Sequence, residues 1–147
     1  MCKRAFHYIF TILSKNRINI TKTLLVNFLM FKLSTAVRFP IIIYGKCVIT
    51  NLRGNIELPD HIRCGMIKIG ISDPIRSCSS TTCLHIGGVV RFLGTCCLRR
   101  GLRLQVFSAG ILEFDNETYI GDNCAFFCAN KIHMGKNTRV GNDTVFM

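Results

Sequence analysis

Four histidines, nine cysteines and a tight group of arginines are the side chains of this 147-residue chain best equipped for chemistry. An imidazole can move a proton near neutral pH or hold a metal through a ring nitrogen; the four are His7, His61, His85 and His133. A thiolate can attack a carbonyl or bind zinc. The cysteine spacing favours neither use. No two cysteines stand three residues apart, and Cys78/Cys83, Cys96/Cys97 and Cys124/Cys128 match no zinc spacing with His61, His85 or His133. Nothing marks a thiolate with a histidine partner, and the odd total argues against complete disulfide pairing. The expectation is reduced thiols packed as small apolar groups in a cytosolic chain, with no metal.

Arg99, Arg100 and Arg103 stand between apolar positions. Guanidinium groups can meet phosphates, whether of coenzyme A or of an anionic lipid carrier. A single-strand nucleic-acid platform would interleave aromatic residues with them, and other readers would show helix-turn-helix, RRM or finger signatures. These patterns are missing, so the arginines are expected on a solvated face and nucleic acid is not an expected partner.

The elements that must position these groups divide the chain in two. Apolar residues make up 49% and charged residues 18%, the balance of one folded domain rather than a disordered chain. Residues 1–40 hold seven Lys/Arg and no acid, positions 46–103 nine bases against three acids, and positions 113–143 three bases against five acids. That asymmetry points to an extended anionic partner. "KRAFHYIFTIL" has the basic start and apolar run of a secretory signal, but it lacks a small-residue cleavage site and leads into "SKNR". "LLVNFLMF" at 24–31 is far short of the roughly 20 residues that span a bilayer.

Thr21 or Thr23 is expected to cap a helix whose apolar positions Leu24, Leu25, Phe28, Leu29 and Met30 recur at helical spacing, with Lys22 and Lys32 near its ends. Such a helix can pack on the main body. It can also rest on anionic lipid at the inner face of the plasma membrane, and the two uses are compatible. Residues 1–39 therefore read as a basic, partly helical N-terminal segment. "RFPIIIYGK" at 38–46 marks the change, because Pro40 ends a helix and strand-type residues follow.

From there a six-residue step organises the chain. Ile86, Phe92, Leu98 and Leu104 form one series, and Phe114, Ile120, Phe126 and Ile132 another. After a two-residue slip, Met134, Val140 and Phe146 continue it. Compact residues recur in phase at Thr118, Cys124, Asn130, Thr138 and Thr144. A period of six fits a three-sided solenoid of about 18 residues per coil, with start residues and compact residues facing inward. "GDN", "GKN" and "GND" then form corners where Gly, Asn or Asp adopts positive φ.

The run "IGDNCAFFCANKIHMGKNTRVGNDTVFM" resembles the hexapeptide-repeat acyltransferases, and "FPIIIYGKCVI", "GMIKIG" and "GILEF" resemble their branch that O-acetylates capsular or lipopolysaccharide sugars. The resemblance implies an all-β fold, a left-handed parallel β-helix over 40–147. It also implies acetyl-CoA as acyl donor, a saccharide or lipid-linked saccharide acceptor, and a homotrimer with reaction clefts between neighbouring β-helices. The family's catalytic histidine follows an apolar run matching "TVFM", so its place falls beyond Met147 and no residue of this chain inherits the role. His133 is a weak candidate and His85 a weaker one; His7 and His61 lie outside the repeats. The resemblance casts the 147 residues as the N-terminal part of a longer acyltransferase. A catalytically inactive scaffold is the alternative from another class, whereas a γ-type carbonic anhydrase would need three zinc-binding histidines where the repeats hold only His85 and His133.

Overall fold

The computed structural model describes residues 17–72 and 80–147. His7, Cys2, Cys78 and the signal-like run lie outside them. The described chain opens with helices α1 (Ile20–Met30) and α2 (Leu33–Ala36). Next come β1 (Ile41–Ile43), β2 (Cys47–Leu52), β3 (Asn55–Glu57), β4 (Ile67–Ile71), β5 (Thr82–Ile86), β6 (Val89–Phe92) and β7 (Cys96–Arg99). They are followed by β8 (Arg103–Val106), β9 (Ile111–Phe114), β10 (Thr118–Ile120), β11 (Ala125–Cys128), β12 (Lys131–Met134), β13 (Arg139–Val140) and β14 (Val145–Phe146).

The strands deal themselves in turn into three sheets, ordered β1-β4-β7-β10-β13, β2-β5-β8-β11-β14 and β3-β6-β9-β12. Every pairing within them is parallel. Each strand therefore lies on the strand three before it, as a chain with a six-residue inward period must arrange itself to bury that period. Ile86, Phe92, Leu98, Leu104, Phe114, Ile120, Phe126 and Met134 are all buried, and Ile132, Val140 and Phe146 pack against the same core. A column of rings threads it: Phe92 stacks on Phe114 at 5.5 Å, Phe114 meets Phe126 edge-on at 5.4 Å, and Phe126 stacks on Phe146 at 4.7 Å.

The coil is longer than the expected 18 residues. Leu98 pairs with Ile120, 22 positions on, and Ile120 with Val140, 20 positions on. The cause lies on the second side, which buries three residues where a hexad supplies fewer: Thr82, Leu84 and Ile86; Leu102, Leu104 and Val106; Cys124, Phe126 and Cys128. The corner at 107–110 adds two more residues than its counterpart at 129–130. Corner chemistry follows expectation, since Asn123, Asn137 and Asp143 take φ of 56°, 59° and 59°, and Glu117 joins them at 60° without having been anticipated. Thr118 and Cys124 face inward as expected, but Asn130 is exposed, because the short corner that holds it turns outward.

Gly70 shows why one aliphatic-glycine pair exists. Its φ is +83°, it sits at a register shift in β4, and a Cβ there would lie 2.4 Å from the Tyr44 carbonyl oxygen. Only glycine meets both conditions.

The N-terminal helix departs most from expectation. Its N-cap is Asn19, whose side chain accepts from the Lys22 N–H, rather than Thr21 or Thr23. Its inward face carries Thr23, Val26 and Asn27, while Leu24, Leu25, Phe28 and Leu29 are exposed. The reason is the free edge of β1. Ile43 N–H donates to Thr23 Oγ1 (3.0 Å), Ile41 N–H donates to Asn27 Oδ1 (3.3 Å), and Asn27 Nδ2 donates to the Ile41 carbonyl (2.7 Å). Two polar side chains thus finish an edge strand whose backbone groups would otherwise be buried without partners.

The cysteines divide by position. Cys47, Cys96, Cys124 and Cys128 are buried free thiols, Cys83 and Cys97 are half-buried, and Cys64 is exposed, so the expectation of uniform burial fails there. Burial pushes Cys47 up to about 11 and raises Cys96, Cys97, Cys124 and Cys128, which keeps them protonated and inert.

Candidate functional site

On a parallel sheet, residues that face outward at the same register form ladders across the coils. One ladder on the third sheet gathers acidic and basic side chains in contact. Glu57 of β3, Arg91 of β6, Glu113 of β9 and His133 of β12 occupy one outward column, set by the registers Glu57↔Arg91, Arg91↔Glu113 and Glu113↔His133. Arg91 bridges Glu57 and Glu113 through its Nε and Nη1. Lys131 Nζ reaches Glu113 Oε2 at 3.1 Å, and His133 Nδ1 lies 3.3 Å from the same oxygen.

The Glu113 side chain is only 10% exposed, with three basic partners around it. Hydrogen bonding from Lys131, and then from Arg91, holds its carboxyl below the usual range against the opposing effect of desolvation. The sign follows directly. A carboxyl with a lower pKa in the folded state stabilises the fold above its unfolded value, near 4.5, and that contribution disappears as pH falls through the lowered folded value. Glu113→Gln is accordingly expected to flatten the acid limb of a Tm-against-pH curve between about pH 6 and pH 3, with the wild type losing its advantage at the acid end.

His133 turns outward as its apolar neighbours require, half-exposed, with Nε2 unengaged among the described residues. His85 is different. Arg53 N–H donates to Asn51 Oδ1 at 3.0 Å, which orients the amide so that Nδ2 faces His85 Nε2 at 3.4 Å. His85 Nδ1 then donates to Thr50 Oγ1 at 3.0 Å, and the hydroxyl passes its own hydrogen to the Leu84 carbonyl at 3.4 Å. Both ring nitrogens are committed, which makes this histidine part of the sheet's outer face rather than a free base. His61 is exposed in the loop between β3 and β4.

Two grooves of about 300 Å³ run along outer faces. One, on the second sheet, is lined by Thr50, Cys83, His85, Arg103, Gln105 and Phe127. The other, on the first sheet, is lined in part by Lys68, Thr95, Cys97, Tyr119 and Arg139. Lys68 and Arg139 are exposed cations on that groove, which they share with the carboxylate of Glu117. Cys97 in that groove has its thiol raised by desolvation despite Lys68 and Arg99 nearby, so it is a poor nucleophile.

The arginine group is partly structural. Arg99 Nε and Nη2 grip Asp122 at 2.8 and 3.3 Å, and Nη1 donates to the Tyr119 hydroxyl at 2.6 Å. The pair is almost covered, with side chains 12% and 5% exposed. Desolvation of the Arg99 guanidinium is outweighed by these hydrogen bonds, and it stays charged. Arg103 instead faces solvent.

Among the described residues no group of three or more His, Cys, Asp or Glu side chains is placed to hold a metal ion. The sequence reading missed Glu113 as the partner of His133. The signal was the apolar register itself, because Phe114 and Met134 are equivalent and their predecessors must therefore touch. No protein-family model, curated protein or solved structure matches this chain.

Proposed function

We propose that the chain forms the body of a hexapeptide-repeat, left-handed β-helix O-acyltransferase. It moves an acetyl group from acetyl-CoA to a hydroxyl of a capsular or lipopolysaccharide saccharide, or of its lipid-linked precursor, and it works as a homotrimer. The observation that supports the reading is the recurrence of inward residues on every third strand, with Leu98, Ile120 and Val140 in one row and Leu104, Phe126 and Phe146 in another. The six-residue step and the Gly-Asp/Lys-Asn corners that produce those rows are also what carries the resemblance.

The reaction is a direct transfer. A general base removes the acceptor hydroxyl proton, the oxygen attacks the thioester carbonyl, and the C–S bond breaks as the thiolate of CoA leaves and takes up a proton. A donor facing the carbonyl oxygen stabilises the oxyanion. An acyl-cysteine step is unnecessary, in keeping with thiols that burial keeps protonated. Lys68 and Arg139 offer two cations to the CoA phosphates in a groove they share with Glu117. In the family that the chain resembles, the base is a histidine that follows the segment matched by Thr144–Met147.

His133 is the available rival. Glu113 already shares its charge with Arg91 and Lys131, and His133 holds the longest of its contacts, so the pair belongs to a surface ladder. His133→Ala is expected to leave kcat within about threefold, whereas loss of a true general base costs about 10²-fold or more. The functional class is tested by following CoA thiol release from acetyl-CoA with a broad panel of saccharide acceptors, using the full-length protein. Acceptor-dependent release supports the transferase; its absence across the panel leaves a scaffold.

A further inference from the structure

The outer face of the N-terminal helices is an apolar surface with no partner among the described residues. Ile20, Leu24, Phe28 and Leu29 of α1 are 68%, 41%, 45% and 65% exposed, and Leu33 and Val37 follow at 69% and 54%. The orientation is locked, because Thr23 and Asn27 hold the opposite face against the edge of β1 through the hydrogen bonds described above. The helix cannot roll its leucines inward without stripping Ile41 and Ile43 of those partners. A patch of this kind marks an interaction surface.

Charge selects the partner. Arg17, Lys32 and Arg38 are exposed around these helices and Lys22 is half-buried beside them. No Asp or Glu precedes Glu57 in the sequence. A protein partner with an apolar footprint would not need an acid-free rim, whereas a sheet of anionic headgroups over acyl chains matches both features together. No helix among the described residues is long and apolar enough to cross a membrane, so the contact is one of lying on the surface. We infer that the outer face of α1 and α2 docks the protein on an anionic lipid surface, with Leu24, Phe28, Leu29 and Leu33 entering the headgroup boundary and Arg17, Lys32 and Arg38 meeting the phosphates. The inference does not rest on the acyl-transfer reading, and its test uses no acyl donor or acceptor.

The experiment is co-sedimentation of the full chain with phosphatidylcholine vesicles with and without phosphatidylglycerol. It is paired with a Leu29→Trp reporter, which is unambiguous because the chain has no tryptophan. Binding is expected only to the anionic vesicles, with a blue shift of the reporter's indole emission and a weakening of about fivefold or more on raising the salt. Leu24→Ser with Leu29→Ser is expected to weaken binding by about tenfold or more. The inference is overturned by absence of both pelleting and shift on anionic vesicles, or by a double variant that binds as well as the wild type. It is equally overturned if the wild type self-associates through this face and ignores vesicles, which would give the surface to a second copy. Should the double variant fail to fold, the emission of the Leu29→Trp reporter alone decides.

Discussion

Phe114→Ala is expected to lower the unfolding free energy by about 3–5 kcal/mol, the range for deleting a buried aromatic ring from a core that cannot collapse around the gap. Phe114 is fully buried and touches rings on two sides, Phe92 and Phe126. Its strand β9 is hydrogen-bonded to β6 before it and β12 after it, so the backbone has no freedom to close the cavity. Equilibrium urea denaturation followed by circular dichroism measures the effect. Phe114→Leu, which refills most of the space, should cost about 1.5 kcal/mol or less. Phe107→Ala, on a corner residue 42% exposed, should fall within about 0.5 kcal/mol of the wild type. Equal losses for Phe107 and Phe114 would mean that the ring column is not the core.

The second large effect is expected at a polar residue. Asn27→Leu should cost about 2–4 kcal/mol, although it replaces an amide by a leucine of similar size in a fully buried position. The substitution leaves the N–H and C=O of Ile41 buried without partners, and it also removes the 2.7 Å bond from Asn27 Nδ2 to the Thr23 carbonyl. The damage should be local. Hydrogen exchange is expected to show loss of protection over α1 and β1, with β7 to β12 unchanged, since β1 is the end strand of its sheet and pairs only with β4. Leu29→Ser on the opposite face should cost less than Asn27→Leu, reversing the order that hydropathy assigns.

That reversal shows what the sequence could and could not say. The six-residue step picked out apolar residues that do lie in or against the core, because a large inward residue recurring at the same place on successive sides imposes a period that neither a helix nor an ordinary strand produces, and the Asn and Asp of the corners advertised their positive φ. The coil length was harder to read. The extra inward residue of the second side is Ile86, Val106 or Cys128, two after Leu84, Leu104 and Phe126, and apolar residues two apart read as an ordinary strand rather than as a wider side. The error propagates to the site. With 18 residues per coil His133 would lie beside Asp115; with 20 it lies beside Glu113, and the ladder of Arg91, Glu113 and Lys131 became visible only once the register was known. The helix forms where expected, but its inward face differs for another reason: hydropathy ranks side chains by transfer from water, whereas the edge of β1 demanded hydrogen-bonding groups, and Thr23 and Asn27, four residues apart on one face, supplied them.

The winding of three-sided coils underlies both the buried rows and the transfer chemistry proposed for this chain. A crystallographic electron-density map over residues 96–146 tests it most directly. The map should place Leu98, Ile120 and Val140 in one row and Leu104, Phe126 and Phe146 in the next, all on parallel strands, and the β-helix proposed above requires left-handed progression from coil to coil. Antiparallel hairpins joining consecutive strands, such as β10 to β11, would contradict it.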